Sequence, residues 1–231
     1  MDLIKEIHQF LQSELSEMNN LILGCLSAEE ELIQLIGNHI SNSGGKRIGP
    51  VLTLLSTKIF DCHSDNAIKL GAAVEFIHMA TLLHDDVVDD ALERRGMFSI
   101  NALWKNKIAV LVGDYLLSKG LLLSLENKDF SILSILSNAV KKMSEGELLQ
   151  IEKTRNLNFD ESVYYEIISG KTASLLASSC AAGASSVTAD EAIIEKMRAF
   201  GEDVGMAFQI KDDLFDYEEA EIGKPRGIDI K

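Results

Sequence analysis

Two prolines in 231 residues, Pro50 and Pro225, are the tightest constraint on what this chain can fold into. Proline removes an amide donor and clashes with the preceding turn, so a sequence this poor in it can run long helices without interior breaks. Leu, Ile, Ala, Glu and Lys fill the intervals, and no alternating apolar and polar run bounded by hairpin turns argues for strands. An all-α fold is expected, and a hydrophobic content of 46% over this length suits one domain spanning residues 1–231.

Periodicity locates the helices. Leu3, Ile7, Phe10, Leu11 and Leu15 recur at three-to-four spacing, the stripe of an amphipathic helix. Ser27-Ala28-Glu29-Glu30 reads as a capping box opening a second helix, and Thr188-Ala189-Asp190-Glu191 repeats the device before Ile193, Met197, Phe200 and Val204. Between them the pattern predicts helices near 50–60, 66–91, 107–126, 130–154 and 160–182. Breaks are expected at Ser43-Gly44-Gly45, Arg95-Gly96 and Gly183-Ala184-Ser185-Ser186. The most apolar stretch, Ile108 to Leu125, contains Asp114 and Lys119 and is expected to be a buried core helix rather than a membrane span.

A formal net charge of -14 excludes a nucleic-acid footprint, which needs a basic surface. Any anionic ligand must be held locally, by metal ions or a few cations. Cys25, Cys62 and Cys180 lack the paired spacing of a zinc site or a disulfide framework and read as buried thiols. Met1 leads into Asp2, Lys5 and Glu6 with no apolar signal segment, so a cytoplasmic location is expected.

The strongest chemical signal is Leu82-Leu83-His84-Asp85-Asp86-Val87-Val88-Asp89-Asp90, where four carboxylates crowd the end of an apolar helix. Like charges at i,i+4 repel and Asp is a mediocre helix former, so the arrangement costs stability unless cations compensate. Lys211-Asp212-Asp213-Leu214-Phe215-Asp216 repeats the Asp-Asp-x-x-Asp pattern at the end of another apolar helix. In each cluster the first and last aspartates share a helical face. One cluster alone reads equally well as a solvated helix end; two with the same internal spacing point to a shared task. Magnesium prefers oxygen ligands and bridges a few carboxylates to substrate phosphates, so Asp85, Asp89, Asp212 and Asp216 are candidate ligands. A di-iron bundle needs a Glu-x-x-His motif on each of two helices, and this chain holds a single one, Glu75-Phe76-Ile77-His78.

Cations sit beside the predicted breaks. Ser43-Gly44-Gly45-Lys46-Arg47 places two on a turn before the helix near Pro50. Arg94 and Arg95 follow the first aspartate cluster, and guanidinium forks suit phosphate. Lys171-Thr172 follows Gly170 inside an apolar helix, where a lysine needs a polar cavity to face, and Lys224 and Arg226 lie just past the second cluster.

On these residues the chain resembles the trans-isoprenyl diphosphate synthase family, the polyprenyl synthetases, over nearly its whole length. The resemblance implies an antiparallel helical bundle around a deep central cavity and a homodimer. It implies magnesium-dependent condensation of isopentenyl diphosphate with an allylic diphosphate of the farnesyl or geranyl type. Asp85, Asp89 and Asp212 would be the main metal ligands, with Asp86, Asp213 and Asp216 in support. Arg94, Lys171, Lys224 and Lys231 would meet the allylic diphosphate. Lys46, His78 and Arg95 would hold isopentenyl diphosphate, and Thr172 and Gln209 would line the reacting centre. His84, beside the ligands, is expected to pack or support them rather than bind metal. Thr81 and Ala80 lie four and five residues before Asp85, about one turn below the metals. In short-chain relatives bulky aromatics block the pocket there, so these small residues imply a longer, octaprenyl-type product and an aromatic at Ala80 is expected to shorten it.

Two departures follow. The family pattern Gly-Lys-x-x-Arg-Pro reads Gly45-Lys46-Arg47-Ile48-Gly49-Pro50 here, with glycine where the second arginine is expected. Weakened isopentenyl diphosphate binding is expected, with Arg47 a nearby substitute. Family members also continue for several helices beyond the second motif, so the chain is expected to lack them. A non-catalytic subunit of a synthase pair stays open on Gly49. A class I terpene cyclase would not need Lys46, His78 and Arg95.

Overall fold

A computed structural model describes residues 3–27, 31–42, 45–60, 65–94, 96–125, 130–156 and 160–217. Eleven α-helices are present among them: α1 (Leu3–Phe10), α2 (Gln12–Leu26), α3 (Glu31–Asn42), α4 (Ile48–Lys58), α5 (Asp65–Val88), α6 (Ile100–Trp104), α7 (Asn106–Leu125), α8 (Phe130–Asn156), α9 (Glu161–Ile168), α10 (Ser174–Ser185) and α11 (Glu191–Tyr217). A five-residue π-helical segment, Ser169–Ala173, joins α9 to α10.

Two helices occupy the centre because their composition lets neighbours approach from every side. In α5 the run Leu70 to Ile77 is wholly buried, and Phe76, Val74 and Ile77 anchor the core with Leu11 at the junction of α1 and α2, Met18 of α2, and Ile132 and Leu136 of α8. A helix apolar all round belongs inside. In α10 every residue from Ser174 to Ala184 is buried, almost all of them Ala, Ser, Gly or Leu. Its hydroxyls are satisfied along the helix, as where Ser179 Oγ donates to the Leu175 carbonyl at 2.7 Å. Small side chains draw α4 so close that a Cβ on Gly183 would lie 2.4 Å from the Thr53 carbonyl oxygen.

Several expectations need correction. The first stripe is two helices, broken at Leu11, where φ -100 and ψ 14 leave the helical region. The helix expected over 160–182 holds a π segment and runs on to Ser185, so the break begins later than Gly183. Asp190, not Thr188, caps α11: its Oδ1 accepts from the Ala192 amide at 2.9 Å, while Thr188 Oγ1 accepts from the Asp190 amide. Ala28, Glu29 and Glu30 lie outside the described residues, as do Ser43, Gly44 and Cys62. Cys180 is buried and Cys25 half-buried, both as free thiols.

A two-residue antiparallel hairpin, β1 (Glu93–Arg94) with β2 (Met97–Phe98), stands where no strand was expected. Gly96 turns it at φ 74, and His39 of α3 pins it by donating from Nε2 to the Phe98 carbonyl at 2.8 Å. Finally, α7 is not a buried core helix. Only 33% of its most apolar window is buried, against 72% for α5. It packs one face on α5 and leaves Val110, Leu111 and Leu122 exposed on others.

Candidate active site

The first aspartate cluster sits at the frayed end of α5. The Asp89 amide still donates to the Asp85 carbonyl at 2.8 Å, Ala91 reaches back to Asp86 at 2.9 Å, and Asp90 turns the chain into the left-handed region at φ 51. Asn101 fixes this end, its Nδ2 donating to the carbonyls of Asp86 (3.1 Å) and Ala91 (3.0 Å). The neighbouring carboxylates have separate fates. Asp86 is 3% exposed and accepts from Arg94 Nε at 2.7 Å, so the pair ties the helix end to the hairpin. Burial raises the Asp86 pKa and the Arg94 guanidinium pulls it back.

Asp85 looks the other way. Burial pushes its pKa up to about 6; Lys171 and Arg94 oppose the rise, and Glu147 and Asp89 add to it. These neighbours locate the site: the end of α5, the middle of α8 and the π segment converge on one carboxylate. The π segment arises where α8 and the chain before α10 touch through glycines. A Cβ on Gly146 would lie 2.7 Å from the Lys171 amide nitrogen. Such bulges often mark functional positions, because the extra residue per turn re-aims side chains. Here it sends Lys171 to Glu147 (2.6 Å) and Gln150 Oε1 (3.2 Å) on α8. Burial works against the Lys171 ammonium, but its bond to Glu147 and the carboxylates of Glu147, Asp85 and Asp89 outweigh it and raise the pKa.

Thr172, the next residue, faces α11. Its Oγ1 donates to Gln209 Oε1 at 2.7 Å, Gln209 Nε2 donates to Asp213 Oδ1 at 2.8 Å, and the Tyr164 hydroxyl of α9 donates to Asp213 Oδ2 at 2.5 Å. The π segment therefore meets the first aspartate cluster through Lys171 and the second through Thr172.

Arg47, His78 and Arg94 line one cavity with Glu75, Met79 and Asp86 on the opposite flank of α5. Arg47 adopts φ 52 and pairs with Glu75 at 2.9 Å. Gly49 fits closely: a Cβ there would lie 2.8 Å from Val74 Cγ1. Lys46 is exposed on the preceding loop. His84 turns toward α7, 3.4 Å from Asp114, in a packing position. Ala80 is 1% exposed within the core, while Thr81, half-buried, donates its hydroxyl to the His78 carbonyl at 2.9 Å. Arg95, Lys224, Arg226 and Lys231 lie outside the described residues, as does the side chain of Asp216.

Glu75, Asn101, Glu147, Gln150 and Tyr164 were missed in the sequence. Only Glu147 and Gln150 carried a signal, two polar residues at i,i+3 beside Gly146, and that pattern is common on exposed helices. Among the described residues no three His, Cys, Asp or Glu side chains close into a cage for a metal ion. The candidate donors are all carboxylate oxygens, which fits magnesium, an ion that takes one or two carboxylates plus substrate phosphate.

Residues 30–231 match the family model described as polyprenyl synthetase. A polyprenyl synthase from Caulobacter crescentus, solved with calcium and isoprenyl diphosphate, superposes with a TM-score of 0.92 at 38% identity, covering 98% of this chain and 70% of that one. The octaprenyl diphosphate synthase of Escherichia coli is 34% identical over 98% of this chain and 71% of its own length. Heptaprenyl diphosphate synthase component 2 of Bacillus subtilis is 38% identical over 98% of this chain and 66% of its own.

Proposed function

The chain belongs to the polyprenyl synthetase family, and from that premise we propose that it joins isopentenyl diphosphate to an allylic diphosphate, giving a medium- or long-chain all-trans polyprenyl diphosphate. The observation that carries this reading is the π segment, which offers a lysine to one aspartate cluster and a hydroxyl to the other.

In this reading Asp85, Asp89, Asp212 and Asp216 hold magnesium, which when bound supplies the positive charge that steadies the diphosphate. Lys171 adds a cation, released from Glu147 toward the arriving diphosphate. The allylic carbon–oxygen bond breaks, the isopentenyl double bond attacks the allylic cation, and a proton leaves for the departing diphosphate. Stabilising charge that develops in the transition state is the largest contribution a site of this kind can make. The Thr172 oxygen faces the cation, and the apolar wall of α5 excludes water from it. Arg47, His78 and Arg94 form the isopentenyl diphosphate side. Gly49 leaves that side one cation short, and its contact with Val74 leaves no room for a longer side chain without movement. Thr81, one turn from Asp85 on the same face, guards the product channel. The exposed apolar side of α7 supports a homodimer, and the free thiols suit the cytoplasm.

The test is incubation with magnesium, radiolabelled isopentenyl diphosphate and farnesyl diphosphate, followed by chromatography of dephosphorylated products. A magnesium-dependent ladder ending at one length is expected. No incorporation, even at high isopentenyl diphosphate, would sink the reading.

A further inference from the structure

The bonds joining Thr172, Gln209, Asp213 and Tyr164 have only one consistent direction. An ionised carboxylate can only accept, so Gln209 must present its NH2 to Asp213. That leaves the amide oxygen facing Thr172, which must donate to it. The hydroxyl proton of Thr172 is thereby committed, and its oxygen can offer only lone pairs elsewhere. What keeps Asp213 Oδ1 on Gln209 is the second bond to the same carboxylate, from Tyr164 to Oδ2. Tyr164 comes from α9 and Gln209 and Asp213 from α11, while Thr172 stands on the π segment. A single hydroxyl thus stabilises a polar chain across three elements.

We propose that Tyr164 is a positioning residue that, through Asp213 and Gln209, keeps the Thr172 lone pairs aimed at positive charge on the reacting allylic carbon. The assignment rests on the prenyl-transfer reading above. With the phenol removed, the Asp213 carboxylate is free to turn, Gln209 is no longer held in one orientation, and Thr172 can swing its hydrogen toward the cation. The contacts proposed for the diphosphate end from Lys171 and Asp85 do not belong to this chain of bonds.

Calorimetric titration of wild type and Tyr164→Phe, with magnesium present, separates the two ends. One ligand is an allylic S-thiolodiphosphate with a neutral chain; the other is a diphosphate with an ammonium nitrogen in place of the allylic carbon. Tyr164→Phe should weaken the ammonium ligand about tenfold, as expected for losing one charge-assisted hydrogen bond. The thiolodiphosphate should stay within about twofold. In turnover kcat should fall about tenfold with the allylic KM unchanged. Equal weakening of both ligands, or of neither, overturns the assignment. If Tyr164→Phe fails to fold, Gln209→Met cuts the chain one link further on and must give the same split. A wild type that binds neither diphosphate and incorporates no isopentenyl unit refutes the functional reading itself, and this assignment with it.

Discussion

Asp85→Asn should make the metal-free protein more stable, and increasingly so as pH rises. The Asp85 carboxyl has its pKa raised from the ordinary 3.8 to about 6, chiefly by burial. Its stabilising contribution is therefore fully present below pH 3.8 and is lost as pH climbs through 6. A displacement of about 2 pH units corresponds to about 3 kcal/mol at 1.36 kcal/mol per unit, and solvent at this half-buried helix end trims that to about 2 kcal/mol. Asparagine cannot ionise, so the variant escapes the penalty. Urea denaturation in chelator, from pH 4 to 8, should show a gap opening between the two proteins and levelling off above pH 7. The melting temperature near pH 7.5 should rise by about 4–8 °C. Adding magnesium and diphosphate should reverse the order, because a ligand that binds only the native wild type stabilises it by about 2.7 kcal/mol at a hundred times its Kd. A gap that stays flat across pH, or a less stable variant at pH 7.5 without metal, refutes the reasoning.

Gly183→Ala should cost about 1–3 kcal/mol, since its Cβ would lie 2.4 Å from the Thr53 carbonyl oxygen and 2.9 Å from Ser56 Cβ; an unmoved urea midpoint would show that α4 and α10 do not meet so closely. Thr81→Phe should shorten the product ladder, as should Ala80→Phe, although the burial of Ala80 adds a loss of stability to the second; an unchanged product distribution in both disproves the channel assignment. Leu111, 55% exposed on α7, is predicted to lie in a dimer interface. Leu111→Glu should then sediment as a monomer, and identical sedimentation of variant and wild type removes α7 from the contact.

Much of the architecture was legible in the sequence because it follows from local rules. Scarce proline and three-to-four periodicity specify helices, and the interruptions near Lys46 and Gly96 show in glycine and charge. The repeated Asp-Asp-x-x-Asp spacing pointed to the ligand aspartates, since clustered like charge at a helix end needs a reason wherever it occurs. Lys171 and Thr172 stood out for the same cause, polar groups inside an apolar helix.

Other features depended on contacts between residues distant in the chain. The π segment cannot be read from Ser169–Ala173 by itself; it exists where Gly146 lets α8 press against it, and it sends Lys171 and Thr172 to two different helices. Tyr164 is indistinguishable from Tyr165 in sequence, yet only the packing of α9 beside α11 puts its hydroxyl on Asp213. The exposed side of α7 was masked by its composition, because hydropathy measures what a helix could bury and not which of its faces has a partner. Within the first motif, sequence treated Asp85 and Asp86 as one acidic pair. Folding separated them, giving Asp86 to Arg94 and leaving Asp85 in a desolvated corner facing Lys171, because adjacent residues on a helix point about 100° apart and meet different surroundings.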